Sequence, residues 1–320
     1  MDSPSAQTIA CIGGIVQDRK ARVIERLVPG SSNPVTVRAC PGGVVCNIAR
    51  NLAKLGCSAS VFSAVGEDAA GDRVLEELKS AGLNVSGVMR SSNHPTANYT
   101  AVLDEKGQLF IGLADMEIFE ELDLRWADAI APAIQKCRFW ILDANLPPAT
   151  IERLLHTHKN RAKILVDPIS VAKSERIRPV LDTIDVLFPN AKEAAVLSDR
   201  AVITHADVAQ AAAEIRRRGV STVIVTLGEE GLYVDDGNRS GFVPAIPAAH
   251  VRDVTGAGDA LVAGYAYAMI SGAAYDPVLW GLAAASLAVE TEESIAPQLS
   301  REAVLRRIDS YLARSSAAKS

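Results

Sequence analysis

The chain has 320 residues, 48% of them hydrophobic, and a formal net charge of −5, which predicts a globular protein: one large α/β domain with a small appendage, or two domains. The acidic balance and the lack of a strong basic cluster argue against a nucleic-acid partner, and no apolar run is long enough to span a membrane. The five cysteines are scattered without a CxxC pair, which favours reduced thiols in a cytoplasmic protein over disulfides or a metal site.

The N-terminal region predicts one buried strand followed by a candidate ligand-binding residue. Residues 1–7 are polar and acidic, unlike a signal peptide, and residues 8–16 form an apolar run with Gly13-Gly14 near its end. Asp18 follows this strand, and ligands of open α/β sheets bind at the carboxyl ends of strands. Asp18 is therefore a candidate acceptor for substrate hydroxyl groups, with an ordinary turn aspartate as the alternative.

Two glycines, Gly42 and Gly43, stand before a helix predicted over residues 44–55. Paired glycines at such a junction let a ligand approach the backbone closely. Asn47, one turn into the helix, can both donate and accept hydrogen bonds. A plain loop-to-helix junction is the alternative.

Two pairs of short strands predict a small sheet outside the main one. They are expected over residues 21–28, 34–39, 96–103 and 108–113. A strand over 59–65, a helix over 68–81 and a strand over 85–89 separate the two pairs. Residues of about 18–40 and 94–115 would then form a lid over the substrate, inserted in a single domain of residues 1–320. An ordinary edge hairpin is the alternative.

From residue 126 onward strands and helices alternate, which is typical of a parallel sheet with helices on both faces. The strands are expected over residues 138–144, 163–166, 186–188 and 222–227. The helices are expected over 149–158, 191–197, 206–218, 277–289 and 301–312, with a hairpin over 232–235 and 241–245 and a frayed tail over 315–320. The fold class is therefore α/β, with a doubly wound, mostly parallel sheet.

Three of these strands end in polar residues, at Asp143 to Asn145, at Asp167 and at Asn190 to Glu193. Their shared position at one edge of a sheet predicts a binding site. Asn190 and Glu193 are three residues apart at a helix start and so lie on one face, which suits water-mediated contact with a magnesium ion. A capping role for Asn190 is the alternative.

The most specific element is the heptapeptide from Asp253 to Asp259, which stands before an alanine-rich run of helical length. A helix start offers unpaired N–H groups and a partial positive charge, and Gly256 and Gly258 let an anionic group approach the backbone. Asp259, beside that anion, could take a proton from an attacking hydroxyl. The pattern favours phosphoryl transfer to an alcohol over a glycine turn with an ordinary helix-start acid.

Taken in order, these motifs resemble the signatures of the ribokinase-like (PfkB) carbohydrate kinases. The matching stretches are Gly42-Gly43 with Asn47, Pro189 to Glu193, Thr226 to Gly228 and Asp253 to Asp259. Within the family, the chain is most similar to the pseudouridine kinases, through Pro41 to Val44, Thr96 to Asp104, Ala114 to Ile118, Asp143 to Leu146 and Asp167 to Lys173. The resemblance implies ATP-dependent phosphorylation of a nucleoside 5′-hydroxyl, above all that of pseudouridine.

The resemblance also implies roles for individual residues. Asp259 would be the base, with Gly256, Ala257 and Gly258 as the anion hole. The implied substrate-binding residues are Asp18, Gly42, Gly43, Asn47, Thr96, Asn98, Tyr99, Asn145 and Lys173. The implied nucleotide-binding residues are Asn190, Thr226, Gly228 and Gly231. Glu193 and Asn190 would meet Mg²⁺ through water, and Asp253, Thr255 and Ser294 would hold a monovalent cation such as K⁺. The implied partners are ATP, a small nucleoside and a second subunit bound through the lid.

Two positions depart from the pattern of the family. Val16 stands where the family often has asparagine, and Cys46 stands where the pseudouridine kinases carry arginine. A kinase for another nucleoside or a sugar is therefore a second hypothesis, and a non-catalytic sugar or nucleoside sensor on the same fold is a third. A dehydrogenase is disfavoured, because the first strand-turn lacks the GxGxxG pattern that seats a dinucleotide.

Overall fold

The computed structural model describes residues 9–158 and 161–317. Its strands are β1 Ile9–Ile12, β2 Val16–Val23, β3 Val35–Gly42, β4 Ala59–Gly66, β5 Asn84–Ser91, β6 Asn98–Leu103, β7 Leu109–Asp115, β8 Phe139–Asp143, β9 Lys163–Asp167, β10 Val186–Leu187, β11 Thr222–Thr226, β12 Leu232–Asp235 and β13 Ser240–Val243. Its α-helices are α1 Val44–Lys54, α2 Ala69–Ser80, α3 Leu124–Ile134, α4 Pro148–His158, α5 Val171–Ser174, α6 Ala191–Ser198, α7 His205–Arg217, α8 Ala257–Ser271, α9 Pro277–Ala288 and α10 Arg301–Ala317. The predictions for residues 1–8 and 318–320 lie outside the described residues.

A nine-stranded sheet forms the centre of the fold, in the order β13-β12-β11-β10-β9-β8-β1-β4-β5. From β11 to β5 neighbouring strands are parallel, and β12 and β13 add an antiparallel hairpin at one edge. All residues of β1, β4 and β8 are buried, as expected when helices cover both faces of a parallel sheet. This architecture confirms the predicted doubly wound α/β fold.

Alternate residues of the central strands supply two separate hydrophobic cores. In β1, Ile9 and Cys11 belong to one core, and Ala10 and Ile12 belong to the other, because successive side chains of a strand point to opposite faces. Helices α1, α2, α8, α9 and α10 pack on the first face, and α3, α4, α6 and α7 pack on the second. None of the helices within the described ranges combines the length and apolarity needed to cross a membrane.

A separate four-stranded sheet, in the order β3-β2-β6-β7, is built from the two segments predicted to form the lid. We call it the lid sheet. Strand β2 pairs antiparallel with β3 and parallel with β6, and β7 pairs antiparallel with β6. Because β2 follows β1 after a short turn, this sheet lies at the end of the central strands where Asp18 was expected.

Three local predictions are wrong. The first strand ends at Ile12 and Val16 begins β2 of the lid sheet, because the chain turns at Gly13-Gly14. Helix α3 has no counterpart among the predicted elements; Asp123 caps its start with a side-chain acceptor. Residues 315–317 continue α10 instead of fraying.

The packing of α8 on α9 sets the position of the heptapeptide and depends on a missing side chain. A Cβ atom on Gly264 would lie 2.5 Å from the Trp280 carbonyl oxygen and 2.9 Å from the Ala284 Cβ atom. We expect Gly264→Ala to lower the free energy of unfolding by about 1–3 kcal/mol, although alanine favours an isolated helix by about 1 kcal/mol. Urea denaturation measures the change.

The matched control is Gly241→Ala in β13. A Cβ atom added there meets no heavy atom within 4 Å apart from its chain neighbours. We expect this variant to unfold at nearly the urea concentration of the wild type. Equal stability of the two variants would show that α8 and α9 can separate at little cost.

Candidate active site

The start of α8 has the geometry of an anion-binding cradle. Gly256 caps the helix in the left-handed conformation, with φ of +80°, and the helix begins at Ala257. The Ala257 N–H donates to the Val254 carbonyl at 3.2 Å, but no acceptor within the described ranges pairs with the N–H groups of Gly256, Gly258 and Asp259. Unpaired N–H groups at a helix start attract an anion. Of the predicted anion hole, Gly256 and Gly258 therefore offer free donors.

Glycine is found at positions 256 and 258 of this cradle for two different structural reasons. A Cβ atom on Gly256 would lie 2.5 Å from the Ser294 carbonyl oxygen, so packing as well as its positive φ requires glycine here. A Cβ atom on Gly258 would meet no heavy atom within 4 Å. Of the two, Gly258 is thus the one that leaves open space beside the backbone for a ligand.

Asp259 lies at the third position of α8 and accepts a hydrogen bond from Asn47 Nδ2 at 2.8 Å. Burial raises the pKa of Asp259 to about 7; the Asn47 hydrogen bond opposes this rise, and the carboxylates of Asp143 and Asp18 add to it. A carboxylate with a pKa near neutrality is suited to act as a general base. The structure therefore brings together Asp18, Asn47 and Asp259, which come from three separate motifs.

Asn47 and Asp18 both present acceptors for which the described residues supply no donor. Asn47 is 5% exposed, and its Oδ1 atom has no partner in the described part of the chain. Since buried polar atoms are normally hydrogen-bonded, this atom is available to a donor group of a ligand. Burial also raises the pKa of Asp18 to about 6, although Lys20 and Arg50 oppose the rise.

The predicted glycines Gly42 and Gly43 shape the backbone around Asp18. A Cβ atom on Gly42 would lie 1.9 Å from Asp18 Oδ2, so glycine makes room for that carboxylate. Gly43 has φ of +95°, and a Cβ atom there would lie 2.4 Å from the Gly14 carbonyl oxygen. Both glycines therefore act by permitting close packing, and neither offers a side chain to a ligand.

A buried carboxylate, Asp143, joins the backbone segments of the site. It is 0% exposed and accepts hydrogen bonds from the N–H groups of Gly14, Val45 and Asn145 at 3.0–3.2 Å. The Asn145 side chain in turn accepts a hydrogen bond from the Lys173 ammonium, and burial lowers the pKa of Lys173. The predicted substrate residues Asn145 and Lys173 are thus direct neighbours at the end of β8.

The three predicted lid residues have different surroundings. Tyr99 lies opposite Asp18 in the register of β2 and β6 and shares its face of the lid sheet. Asn98 precedes it and so points to the other face. Thr96 is 3% exposed, and its hydroxyl donates to Asp68 at 2.7 Å. The geometry favours Tyr99 as a ligand contact and gives Thr96 a role in attaching the lid sheet to α2.

The predicted nucleotide-binding residues meet at the ends of β10 and β11. An isolated parallel bridge joins Asn190 to Thr226, and a Cβ atom on Gly228 would meet no heavy atom within 4 Å, which leaves space for a ligand. Gly231 has φ of +104°, and a Cβ atom there would lie 2.2 Å from the Val243 carbonyl oxygen. The structure thus groups Asn190, Thr226 and Gly228, and it gives Gly231 a packing role.

Asn190 and Glu193 form a capping box at the start of α6. Asn190 Oδ1 accepts the Glu193 N–H at 3.0 Å, and Glu193 Oε2 accepts the Asn190 N–H at 2.9 Å. The capping role considered as the alternative for Asn190 is thus confirmed. Within residues 9–158 and 161–317, no group of three His, Cys, Asp or Glu side chains could hold a metal ion, so the water-mediated role of this pair stays a prediction.

Asp167 is a site residue that the sequence indicated only as a polar strand end. Burial raises its pKa well above the usual value, and the carboxylates of Asp259, Glu193 and Asp143 add to the rise. Its Oδ1 atom accepts the Ile169 N–H at 2.7 Å, and Ile169 has φ of +68°, an uncommon conformation for a β-branched residue. Asp167 thus belongs to the same group of acidic side chains as Asp259.

Two of the three residues predicted for a monovalent cation, Asp253 and Thr255, already have hydrogen-bond partners. Asp253 Oδ1 accepts the Thr255 N–H at 2.9 Å and the Thr255 hydroxyl at 2.7 Å, and Oδ2 accepts the Lys20 ammonium at 2.8 Å. The Ser294 carbonyl packs against Gly256. As arranged, Asp253 and Thr255 do not fit a cation site, and Lys20, which no motif indicated, supplies the positive charge at Asp253.

The two departures from the family pattern lie in the cores. Cys46 is 0% exposed on α1, and Val16 is 3% exposed at the start of β2. Burial raises the pKa of the Cys46 thiol, Arg50 opposes the rise, and the carboxylates of Asp18 and Asp259 add to it, so Cys46 lies near these two residues. An effect of Cys46 on ligand choice would therefore act close to these two carboxylates, whereas an effect of Val16 would act through packing.

Comparison with known proteins identifies the family. The family model described as pfkB family carbohydrate kinase matches residues 6–301. The chain belongs to this family. It is 31% identical over 287 residues to the pseudouridine kinase of Escherichia coli (strain K12), covering 89% of this chain and 91% of that protein.

Solved structures agree with this pfkB assignment. A carbohydrate kinase from Agrobacterium tumefaciens has a TM-score of 0.84 and 30% identity, over 95% of this chain and 97% of that one. The ribokinase of Arabidopsis thaliana, complexed with ribose and ATP, has a TM-score of 0.82 and 24% identity, over 95% and 99% of the chains. The predicted family and ribokinase-like fold are confirmed. As a pfkB kinase, the chain is a phosphotransferase that acts on an alcohol group of a sugar or nucleoside.

The contact between Asn47 and Asp259 predicts a shift in pH dependence. A base acts only when deprotonated, so kcat/KM of the wild type should rise with pH through about 7. The Asn47 hydrogen bond favours the charged carboxylate, so Asn47→Ala should raise the pKa of Asp259 and move the midpoint to higher pH. The pH profile of kcat/KM measures this.

Asn51→Ala is the matched control. Asn51 lies one turn further along α1, is 1% exposed, and neither polar atom of its side chain has a partner in the described chain. We expect the pH profile of kcat/KM for this variant to have the same midpoint as that of the wild type. An unshifted midpoint in Asn47→Ala would show that Asn47 does not tune Asp259.

Proposed function

We propose that this kinase transfers the γ-phosphoryl group of ATP to the 5′-hydroxyl of a nucleoside, specifically pseudouridine. The observation that carries the proposal is the position of Asp259 beside the unpaired N–H groups of α8. Asp259 would take the proton of the hydroxyl as its oxygen bonds to the γ-phosphorus and the bond to the ADP oxygen breaks. The N–H groups of Gly256 and Gly258 would stabilise the charge on the transferred group.

The nucleoside would lie between the lid sheet and the ends of β1 and β8. The carboxylate of Asp18 and the Oδ1 atom of Asn47 are free acceptors for ribose hydroxyls. Tyr99 on the lid sheet and the Asn145–Lys173 pair offer groups that can contact the base. Similarity to the E. coli pseudouridine kinase over most of the chain supports pseudouridine as the nucleoside.

The nucleotide would lie at the ends of β10 and β11, against Asn190, Thr226 and Gly228. Mg²⁺ fits this region as an ion carried by the nucleotide, because the half-buried Asp167 and the buried Glu193 are carboxylates with raised pKa values and a cation would favour their charged forms. When bound, Mg²⁺ would neutralise phosphate charge. These two residues and Asn190 would contact it through water.

Two other functions compete with this proposal. The buried Val16 and Cys46 differ from the pattern of the relatives, which favours a kinase for another nucleoside or a sugar as the main alternative. A non-catalytic sensor is disfavoured, because Asp259 has a pKa suited to proton transfer and Gly258 leaves space for a phosphoryl group.

Coupled ADP release with ATP and Mg²⁺ tests the proposal across pseudouridine, uridine, adenosine, ribose and fructose 6-phosphate. We expect the highest kcat/KM with pseudouridine, because contacts to a polar base edge discriminate strongly. Preference for another substrate would overturn the specificity and leave the kinase in place. Binding without ADP release would favour the sensor.

Asp259→Asn shows whether the turnover belongs to this site. We expect the variant to fold and to lose kcat by about 10²–10⁴-fold, the usual contribution of a general base. Circular dichroism checks the fold. Turnover near the wild-type value would contradict the role of Asp259 as base.

We also propose a homodimer formed through the lid sheet. The cross-strand register places Ala21 beside Val37 and Val102, and Val102 beside Ile111, on the face opposite to Asp18. Val37 is 47% and Ile111 is 46% exposed. A contiguous apolar face of this kind is typical of an interface, and a second copy would cover it with the same surface under two-fold symmetry.

Ile111→Arg should separate the subunits, because it places a charge in the middle of the apolar face. We expect sedimentation velocity to give a dimer for the wild type and a monomer for this variant. Ile203→Arg is the matched control, since Ile203 is 87% exposed and lies outside the lid sheet; it should remain a dimer. A dimeric Ile111→Arg variant would contradict the proposed interface.

The cysteines support a cytoplasmic location, which we propose as well. All five are free thiols, and one of them, Cys40, is exposed. Exposed free thiols persist in reducing compartments.

A further inference from the structure

A lysine of the lid sheet reaches the turn that precedes the anion-binding cradle. The Lys20 ammonium donates to Asp253 Oδ2 at 2.8 Å, although the two residues are 233 positions apart in the chain. The other carboxylate oxygen of Asp253 accepts both the N–H and the hydroxyl of Thr255. Asp253 therefore links a strand of the lid sheet to the turn that leads into Gly256.

The placement of Lys20 couples this link to the substrate side of the site. Lys20 lies two residues after Asp18 on β2, so both side chains project from the same face of the strand. Asp18, which would hold the substrate, and Lys20, which contacts Asp253, thus lie on the same strand. Movement of β2 would change both contacts together.

The charges of the pair are favourable but only partly shielded. Burial raises the pKa of Asp253, but the hydrogen bonds from Lys20 and Thr255 outweigh burial and hold that pKa below its usual range. The Lys20 side chain is 39% exposed and that of Asp253 is 25% exposed. Pairs with this exposure add little to global stability, so the contact matters for local geometry.

We propose that Lys20 is a positioning residue for phosphoryl transfer, whose ammonium fixes Asp253 and thereby the turn into the α8 cradle while the lid sheet covers the substrate. The inference rests on the proposed kinase function. Because Lys20 provides a positive charge at the carboxylate expected to bind a monovalent cation, catalysis needs no added potassium. Phosphoryl transfer depends on oriented donors, so loss of this contact acts mainly on kcat.

The decisive variant is Lys20→Met, which keeps an unbranched apolar side chain of similar reach and removes the charge. We expect kcat to fall roughly tenfold or more, as small misplacements of catalytic groups can do, with a much smaller change in KM for the nucleoside. Lys20→Arg should recover most of the turnover, because it restores a donor to Asp253.

Arg19→Met is the matched control. It removes a positive charge from the neighbouring residue, whose exposed side chain points to the opposite face of β2. That face carries the proposed dimer interface, so sedimentation velocity checks that the variant keeps the oligomeric state of the wild type. We expect wild-type turnover. If kcat fell equally in Arg19→Met and Lys20→Met, the loss would come from the change in net charge, and the proposal would be overturned.

A second measurement is independent of substrate identity. Hydrogen–deuterium exchange of the substrate-free protein should be faster over residues 252–258 in Lys20→Met than in Arg19→Met, because the turn has lost its anchor. This readout responds even if every substrate in the panel fails, so failure of the proposed function and failure of this inference are distinguishable. Unchanged exchange together with unchanged kcat would overturn the role of Lys20.

The cation requirement is tested on the wild type. Turnover is compared in potassium chloride and in tetramethylammonium chloride at equal ionic strength. We expect equal rates, since Lys20 already provides the charge at Asp253. Turnover that requires potassium would overturn this part of the proposal.

Discussion

The hydrogen bonds to the buried carboxylate of Asp143 are the constraint on which the site depends. A carboxylate removed from water is costly unless donors surround it, and here three backbone N–H groups from the turn after β1, the start of α1 and the end of β8 do so. A Cβ atom on Gly13 would lie 2.4 Å from this carboxyl group, so no side chain fits at the turn. The direction of β2, which carries Asp18 and Lys20, follows from this packing.

The site separates the two electrostatic tasks of phosphoryl transfer. Burial raises the pKa values of Asp18, Asp167 and Asp259, and neighbouring carboxylates add to the rise for the last two. This acidic group suits proton acceptance. The complementary task, binding of an anion, suits the backbone N–H groups at the start of α8 that have no acceptor in the described part of the chain. The Asn47–Asp259 hydrogen bond is where the two regions meet.

The parts that could be predicted from the sequence are those specified by local chemistry. The alternation of apolar runs predicted the parallel sheet, and the heptapeptide ending at Asp259 predicted a helix start with a carboxylate, because glycines and an adjacent acid determine both locally. The contact between Lys20 and Asp253 could not be predicted in this way, since 233 residues separate them. The role of Asp143 in joining three backbone segments could not be predicted either, because its hydrogen-bond donors are backbone N–H groups, which nearly every residue type provides.

In the proposed substrate site, Asn47 would provide selectivity that exists before any ligand binds. Its Oδ1 atom is buried and lacks a partner in the described chain, and an unsatisfied polar atom of this kind costs about 1–3 kcal/mol. A ligand hydroxyl that donates to this atom removes that cost, whereas a deoxy analogue of the same shape leaves it in place. The penalty would therefore be added to the loss of the hydrogen bond itself, and this amide oxygen would discriminate more strongly than one hydrogen bond alone.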